Sequence, residues 1–238
     1  MNIAVIFAGG TGQRMNTKTK PKQFLELHGK PILVYTLEVF NNHPEVDKII
    51  LVILESWIPY CEQMIDKYHL KKVEAVIAGG DSALQSQRNG LQKAKELYGE
   101  NAVVLIHDGV RPLVDETTIS RNIQSVREHG TAITVTPAIE TITVKKAPGK
   151  VGQIIDRAKV EMARAPQSFF LSDILEAHRR AAADHLAFID SASMMQHYGY
   201  ELYTVECPPE NIKITTPDDY YTFRALVDAR ENSQIFGI

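Results

Sequence analysis

The sequence predicts an α/β fold, a mainly parallel sheet with helices on both faces and a β-hairpin arm standing off it. Short, continuous apolar runs such as Asn2-Ile3-Ala4-Val5-Ile6-Phe7 and Lys48-Ile49-Ile50-Leu51-Val52-Ile53 alternate with longer stretches of helical period. Strands without a polar face belong to sheets buried on both sides. The length of 238 residues suits one large α/β unit with a small appendage. One segment, Glu140 to Ile155, instead alternates apolar and polar residues about a Pro-Gly turn, which is hairpin patterning.

Taken in order, residues 2–7 are the first strand. Pro31 to Phe40 is an amphipathic helix, because Ile32, Leu33, Leu37 and Phe40 share one face. Lys48 to Ile53 and Val73 to Ile77 are the second and third strands. A helix runs from about Ser82 to Tyr98, a fourth strand from Ala102 to Ile106, a helix from roughly Thr117 to His129 and a fifth strand from Thr131 to Val135. The hairpin pairs Glu140 to Val144 with Val151 to Ile155 across Ala147-Pro148-Gly149-Lys150. An isolated hairpin is marginal in water, so the arm, about residues 138–160, is expected to pack on a second subunit and make a homodimer. Helices near Ser172 to Asp184, Ser191 to Tyr198 and Pro217 to Asn232, with a strand at Glu201 to Val205, complete the chain. There is neither an internal repeat nor a low-complexity linker, so residues 1–238 read as one domain of three layers, Rossmann-like in outline.

Composition excludes several classes of function. The net charge of −3 gives no global attraction to nucleic acid or an anionic membrane, so phosphate binding must come from local basic clusters. Cys61 and Cys207 lie far apart and outside any CxxC pattern, which is neither a disulfide framework nor a zinc site and fits a reducing, cytoplasmic setting. The apolar stretch Ile3 to Ala8 is too short for a signal-peptide core or a membrane span.

In a parallel sheet, ligands bind beyond the carboxyl ends of the strands, which directs attention to the loops after Phe7, Ile77 and Ile106. Phe7-Ala8-Gly9-Gly10-Thr11-Gly12-Gln13-Arg14-Met15 follows the first strand directly. Glycines let a backbone approach a phosphate and turn its N–H groups toward the anion. The loop lacks the Gly-Lys-Ser/Thr ending of a P-loop, and Met15 stands where a dinucleotide fingerprint needs its last glycine. What remains is a phosphate loop with its own cation, Arg14, and a basic cluster at Lys18, Lys20 and Lys22. These are the charges that phosphoryl transfer requires. The alternative is a strand-to-helix turn beside a solvated basic stretch.

Gly79-Gly80-Asp81-Ser82, with Ser86, follows the third strand. It can present backbone groups and a carboxylate to a nucleobase, or simply start a helix with Asp81 or Ser82 as cap. His107-Asp108-Gly109-Val110-Arg111-Pro112 closes the fourth strand. Asp108 there can orient a substrate hydroxyl or hold Mg²⁺, while Arg111 can pair with it as a structural ion pair. His107 reads as a packed strand-end histidine.

These segments, with Pro21-Lys22-Gln23-Phe24-Leu25 after the glycine loop, resemble the CDP-alcohol-forming cytidylyltransferases. That nucleotidyltransferase family makes CDP-methylerythritol for isoprenoid synthesis, and a sister branch makes CDP-ribitol. The His-Asp-x-x-Arg-Pro match is close. The resemblance implies CTP and a small polyol phosphate as substrates, Mg²⁺ as cofactor, and Ala8, Gly9, Gly10, Gly12, Gly80, Asp81, Ser86 and Asp108 around the nucleotide. It implies that Arg14 and Lys22 neutralise the triphosphate, with Lys22 and Lys213 (in Asn211-Ile212-Lys213-Ile214-Thr215-Thr216-Pro217) near the α-phosphate. Asp108 and Arg111 would bind the acceptor. Thr141 and Arg157 would reach from one subunit's arm to the acceptor phosphate in its neighbour. Two departures stand out: Ala83 replaces the family's arginine after the Gly-Gly turn, and Ala165 replaces the threonine of its Thr-Pro-Gln segment. Phe188-Ile189-Asp190-Ser191-Ala192 resembles the family's Asp-x-Ala segment.

The acceptor divides the signals. Val110 and Ile139-Glu140-Thr141-Ile142 resemble the ribitol branch, whereas Asp190-Ser191-Ala192-Ser193 resembles the methylerythritol branch. The balance falls on D-ribitol 5-phosphate, with 2-C-methyl-D-erythritol 4-phosphate as the alternative. Two readings from other classes are a nicotinamide-dependent oxidoreductase, which Met15 disfavours, and a non-catalytic nucleotide sensor, which the retained Arg14, Lys22, Asp108 and Lys213 disfavour.

Overall fold

The computed structural model describes residues 1–10 and 20–236, with side-chain environments up to residue 232. Its elements are β1 (Asn2–Phe7), β2 (Glu26–Leu27), β3 (Lys30–Pro31), α1 (Ile32–Asn42), β4 (Lys48–Ile53), α2 (Ile58–Lys67), β5 (Val73–Ala78), α3 (Ala83–Tyr98), β6 (Val103–Asp108) and α4 (Glu116–His129). There follow β7 (Thr131–Pro137), β8 (Ile142–Ala147), β9 (Lys150–Ile155), β10 (Glu161–Phe170), α5 (Leu171–Ala183), α6 (Ser191–His197), β11 (Thr204–Glu206) and α7 (Pro217–Phe236). Among the described residues the main sheet has seven strands in the order β11-β7-β10-β6-β1-β4-β5. β10 runs antiparallel to both of its neighbours, and the other pairings are parallel.

The three layers follow from alternation along the apolar strands. Ala4 and Ile6 of β1 pack with α1, α2 and α4 through Leu37, Phe40, Met64 and Ile123. Ile3 and Val5 point the other way, to α3, α5 and α6 through Leu91, Ile174 and Met194. α3 lies unusually close to the sheet, for a Cβ at its Gly90 would come within 2.4 Å of Val5 Cγ1. Any side chain there would push the helix off β1. A smaller apolar cluster, Leu27, Ile32, Val110, Leu113, Ile214, Phe223 and Val227, seats α7 against the edge that carries the β6 loop.

The predicted α/β class, its parallel strands and the protruding hairpin are all present. Four elements were not foreseen. β2 and β3 make a small antiparallel pair, α2 fills the connection between β4 and β5, and β10 is a ten-residue strand inserted between β6 and β7. The strand expected at Glu201 to Val205 is shorter and displaced, to Thr204–Glu206. Among the described residues β8 and β9 pair only with each other. Among the described residues no helix is long and apolar enough to cross a membrane.

Candidate active site

A cleft of about 330 Å³ opens at the carboxyl ends of β1, β5 and β6, lined by Ala8, Gly9, Gly10, Lys22, Gly80, Asp81, Ser86, Asp108 and Lys213 among others. Parallel strands end together there, so the backbone polar groups leaving the sheet converge with the loop side chains. Gly12 and Arg14, like Lys18, lie outside the described residues. The other nucleotide-site residues anticipated from the sequence come together on this one cleft.

The two glycine turns are held by buried polar contacts. Gln23 is fully buried and donates from Nε2 to the Ala8 carbonyl at 2.6 Å, bracing the end of β1. Ser86 Oγ accepts from the Gly80 N–H at 3.0 Å and donates to the Ser82 carbonyl at 3.0 Å. A Cβ on Gly79 would fall 2.8 Å from that hydroxyl, so this turn has no room for a side chain. Ser86 thus shapes the loop, its hydroxyl being committed to backbone. Ser82, not Asp81, caps α3, accepting from the Gln85 N–H at 3.1 Å. The N-terminus of this 16-residue helix borders the cleft, and its dipole favours an anion there.

Lys22 starts a short 3₁₀ turn, Lys22–Phe24, whose anchor is Phe24, buried in the core and stacked on Trp57 at 4.6 Å between centroids. From it Lys22 Nζ donates to the Ile214 carbonyl at 2.9 Å. The segment 211–214 is a staple. Ile214 N–H donates to the Val110 carbonyl at 2.9 Å, and buried Asn211 donates from Nδ2 to the Ala165 carbonyl at 2.7 Å. Arg111 Nη1 donates to the Asn211 carbonyl at 3.0 Å. The Lys22 turn, the β6 loop and β10 are therefore tied to one stretch of chain. Thr216 and Asp219 close the staple as a helix start, with Asp219 accepting from the Thr216 N–H at 2.7 Å and Thr216 Oγ1 accepting from the Asp219 N–H at 3.3 Å.

Asp108 sits at the centre. Arg111 Nε donates to its Oδ2 at 2.8 Å, and Lys213 Nζ pairs with its Oδ1 at 2.5 Å. Burial alone would raise this carboxyl's pKa, but Lys213 and Arg111 outweigh burial and hold it down at about 2. Asp108 is thus a permanent anion with both oxygens taken. An Mg²⁺ at Asp108 would compete for Oδ1 with Lys213, which already pairs with it. His107 is fully buried, and burial pushes it down to about 4. Its Nε2 contacts the Arg111 carbonyl at 3.1 Å, which makes it the packed strand-end histidine anticipated.

A second cleft of about 160 Å³ adjoins the first and shares Phe7, Ala83, Asp108 and Lys213 with it. Arg111 faces this side chamber, together with Arg164, Gln167 and Asp190. Thr141 and Arg157 do not join either cleft. Both are exposed at the base of the arm, where Arg157 Nη1 donates to the Ile139 carbonyl at 3.1 Å. Asn211, Gln23, Gln167 and Arg164 were not singled out from sequence, although Asn211, Gln23 and Gln167 lie inside motifs that were.

A family model described as 2-C-methyl-D-erythritol 4-phosphate cytidylyltransferase matches residues 2–229. The chain belongs to that family. It is a cytidylyltransferase acting on a polyol phosphate, with the α/β architecture of its relatives. A ribitol-5-phosphate cytidylyltransferase of Streptococcus agalactiae serotype V is 51% identical over 239 residues, spanning 100% of both chains. A 2-C-methyl-D-erythritol 4-phosphate cytidylyltransferase of Clostridium acetobutylicum is 38% identical and covers 95% of this chain and 97% of its own. Among solved structures, the 4-diphosphocytidyl-2C-methyl-D-erythritol synthase of Anaerococcus prevotii superposes with a TM-score of 0.82 at 26% identity, covering 95% of this chain and 96% of that one.

Proposed function

We propose that this cytidylyltransferase transfers CMP from CTP to D-ribitol 5-phosphate, giving CDP-ribitol and pyrophosphate. The carrying observation is the end-to-end match at 51% identity to a protein named for that acceptor, against 38% for one named for methylerythritol phosphate. The acceptor's phosphate oxygen attacks the α-phosphorus of CTP, and the bond to the β-phosphate oxygen breaks as pyrophosphate leaves. The nucleophile is already anionic, so no general base is needed; positioning and charge stabilisation carry the catalysis.

In this reading the glycine turns and the N-terminus of α3 take the nucleotide in the larger cleft, with Ala8, Gly9, Gly10, Gly12, Gly80, Asp81 and Ser86 around it. Lys22 and Lys213 meet the α-phosphate, joined by Arg14. Asp108 and Arg111 face the acceptor in the side chamber. Mg²⁺ is assigned mostly to the phosphates of CTP, with Asp108 as the candidate protein ligand. The enzyme works as a cytoplasmic homodimer, in which Thr141 and Arg157 on one arm complete the neighbour's acceptor site. Supporting this, Val151 and Ile154 on the arm are 62% and 66% exposed, much apolar surface for a hairpin whose strands pair only with each other among the described residues. The product CDP-ribitol suits cell-surface polysaccharide synthesis.

Pyrophosphate release measured with each acceptor at equal concentration tests the assignment. Ribitol 5-phosphate should be preferred, and a clear preference for methylerythritol phosphate would reverse it. In the same assay Lys22→Ala should lower turnover by about a hundredfold or more while the protein stays folded; near-normal synthesis would remove Lys22 from the mechanism.

A further inference from the structure

Arg164 stands on β10 where its pairing with β7 breaks register, between Ala163 and Gln167. Such irregularities turn a side chain away from the sheet's alternation, and here the arginine faces the side chamber. The polar groups sharing that wall are already engaged. Asp108 is clamped by Arg111 and Lys213. Gln167 donates from Nε2 to Asp190 Oδ2 at 3.0 Å and accepts from the Ala192 N–H at 3.0 Å. Asp190 Oδ1 caps α6 through the Ser193 N–H at 2.9 Å, and Gln87 Oε1 accepts from Ser191 Oγ at 2.9 Å. Arg164 is the exception. Among the described residues it makes no ion pair, and its Nε is buried with no hydrogen-bond partner. The side chain is half-buried, so the cost falls on that unbonded Nε, held beside a second guanidinium. Burial and the charge of Arg111 both depress its pKa.

We infer that Arg164 is an acceptor-specificity residue, its guanidinium donating to a hydroxyl on the carbon chain of the polyol phosphate. The inference rests on the assignment of the side chamber to the acceptor. Lys22 and the glycine turns line only the larger cleft, whereas Asp108 and Lys213 line both. The reacting phosphate therefore lies at the junction, and the chain it carries extends toward Arg164. Ala165 beside it offers no side-chain polar group, which leaves Arg164 as the donor that the wall has in reserve. A wall that holds a half-buried donor with no partner from its own chain favours an acceptor whose hydroxyl can reach it over one that lacks that hydroxyl.

The test is steady-state kinetics on Arg164→Met, which keeps most of the side chain's packing, and on Arg164→Lys, which keeps the charge. For Arg164→Met the KM for ribitol 5-phosphate should rise by about ten- to a hundredfold while the KM for CTP holds. Arg164→Lys should recover part of that loss. Inhibition by sn-glycerol 3-phosphate, which carries the phosphate on a shorter chain, should not change. An unchanged acceptor KM overturns the inference. An equal rise in the KM for CTP, or an equal weakening of glycerol phosphate, overturns it too, because Arg164 would then be structural or a phosphate ligand. Should the wild-type enzyme prefer methylerythritol phosphate, the acceptor assignment falls, and the same variant measured with that acceptor still decides the role of Arg164.

Discussion

The junction of the β6 loop with segment 211–214 and the hairpin β8–β9 are both short irregular departures from the sheet, yet they are built on opposite terms. At the junction, Asp108, Arg111 and Asn211 are all more than nine-tenths buried, and each is tied to chain distant in sequence. In the hairpin the strand pairing among the described residues runs only between its own two strands, and large apolar side chains face outward. Buried charge is tolerable where it is fully paired, and there it fixes a geometry. Exposed apolar surface is tolerable where something else covers it. The first region has its partners within the chain, and the second lacks them among the described residues.

The comparison is most easily broken at Asp108. Asp108→Asn removes the anion between Arg111 and Lys213 and leaves the buried guanidinium without a counter-charge. Breaking such a pair costs about 3–5 kcal/mol, or a Tm lower by roughly 10 °C for a chain of this size. Thermal and urea unfolding would measure it. A loss below about 1 kcal/mol would mean that the clamp does not hold the junction together and that 211–214 docks through apolar contact alone.

A gentler probe of the same interior is pH. His107 and His178 are both pushed down to about 4, chiefly by burial, from about 6.5 in an unfolded chain. Between these values the unfolded chain binds protons that the folded chain does not. Their contribution to stability is complete above pH 6.5 and is lost as pH falls toward 4. Asp108, held at about 2, keeps its contribution above its unfolded value and loses it only as pH falls through about 2, so the histidines act first. Unfolding at pH 7 and pH 4.5 should differ by a few kcal/mol, and the difference should shrink in His178→Leu. A stability flat across this range would show that the folded histidines accept protons freely.

What could be read from the sequence followed from how local each feature is. β1, β4 and β6 are continuous apolar runs, and the glycine turns, Lys22, Asp108 and Lys213 sit in compact motifs at strand ends. β10 was missed because Pro166 interrupts it and because its partners, β6 and β7, are remote and antiparallel. α2 was missed because it is only ten residues long, carries a proline in its first turn and buries only Cys61 and Met64, so it lacks the apolar richness that marks α1. Asn211 gave no signal of its own: its contacts join residues 46 and 100 positions away. Arg164 reads as one more arginine until the register break turns it into the side chamber. Asp108 was correctly placed at the strand end, but only the structure shows that both of its oxygens are occupied.

The smallest effect on stability, and the sharpest use of the comparison, is expected at the arm. Val151 and Ile154 contribute little to the packing of their own chain, so Val151→Glu with Ile154→Lys should change the unfolding free energy of the isolated chain by no more than about 0.5 kcal/mol per site. Covered by a second copy, the same positions would lie in an interface where an unpaired charge is expensive. Sedimentation velocity across a dilution series separates the two cases. A dimer in the parent protein and a folded monomer in the double variant would identify the missing partner as another copy of the chain. Loss of acceptor turnover in that monomer, with CTP binding retained, would then follow from Thr141 and Arg157 standing at the base of the arm and outside both clefts of their own subunit. A monomeric parent enzyme with full turnover would instead confine the acceptor site to one chain, and the exposed apolar face of the hairpin would need a different occupant.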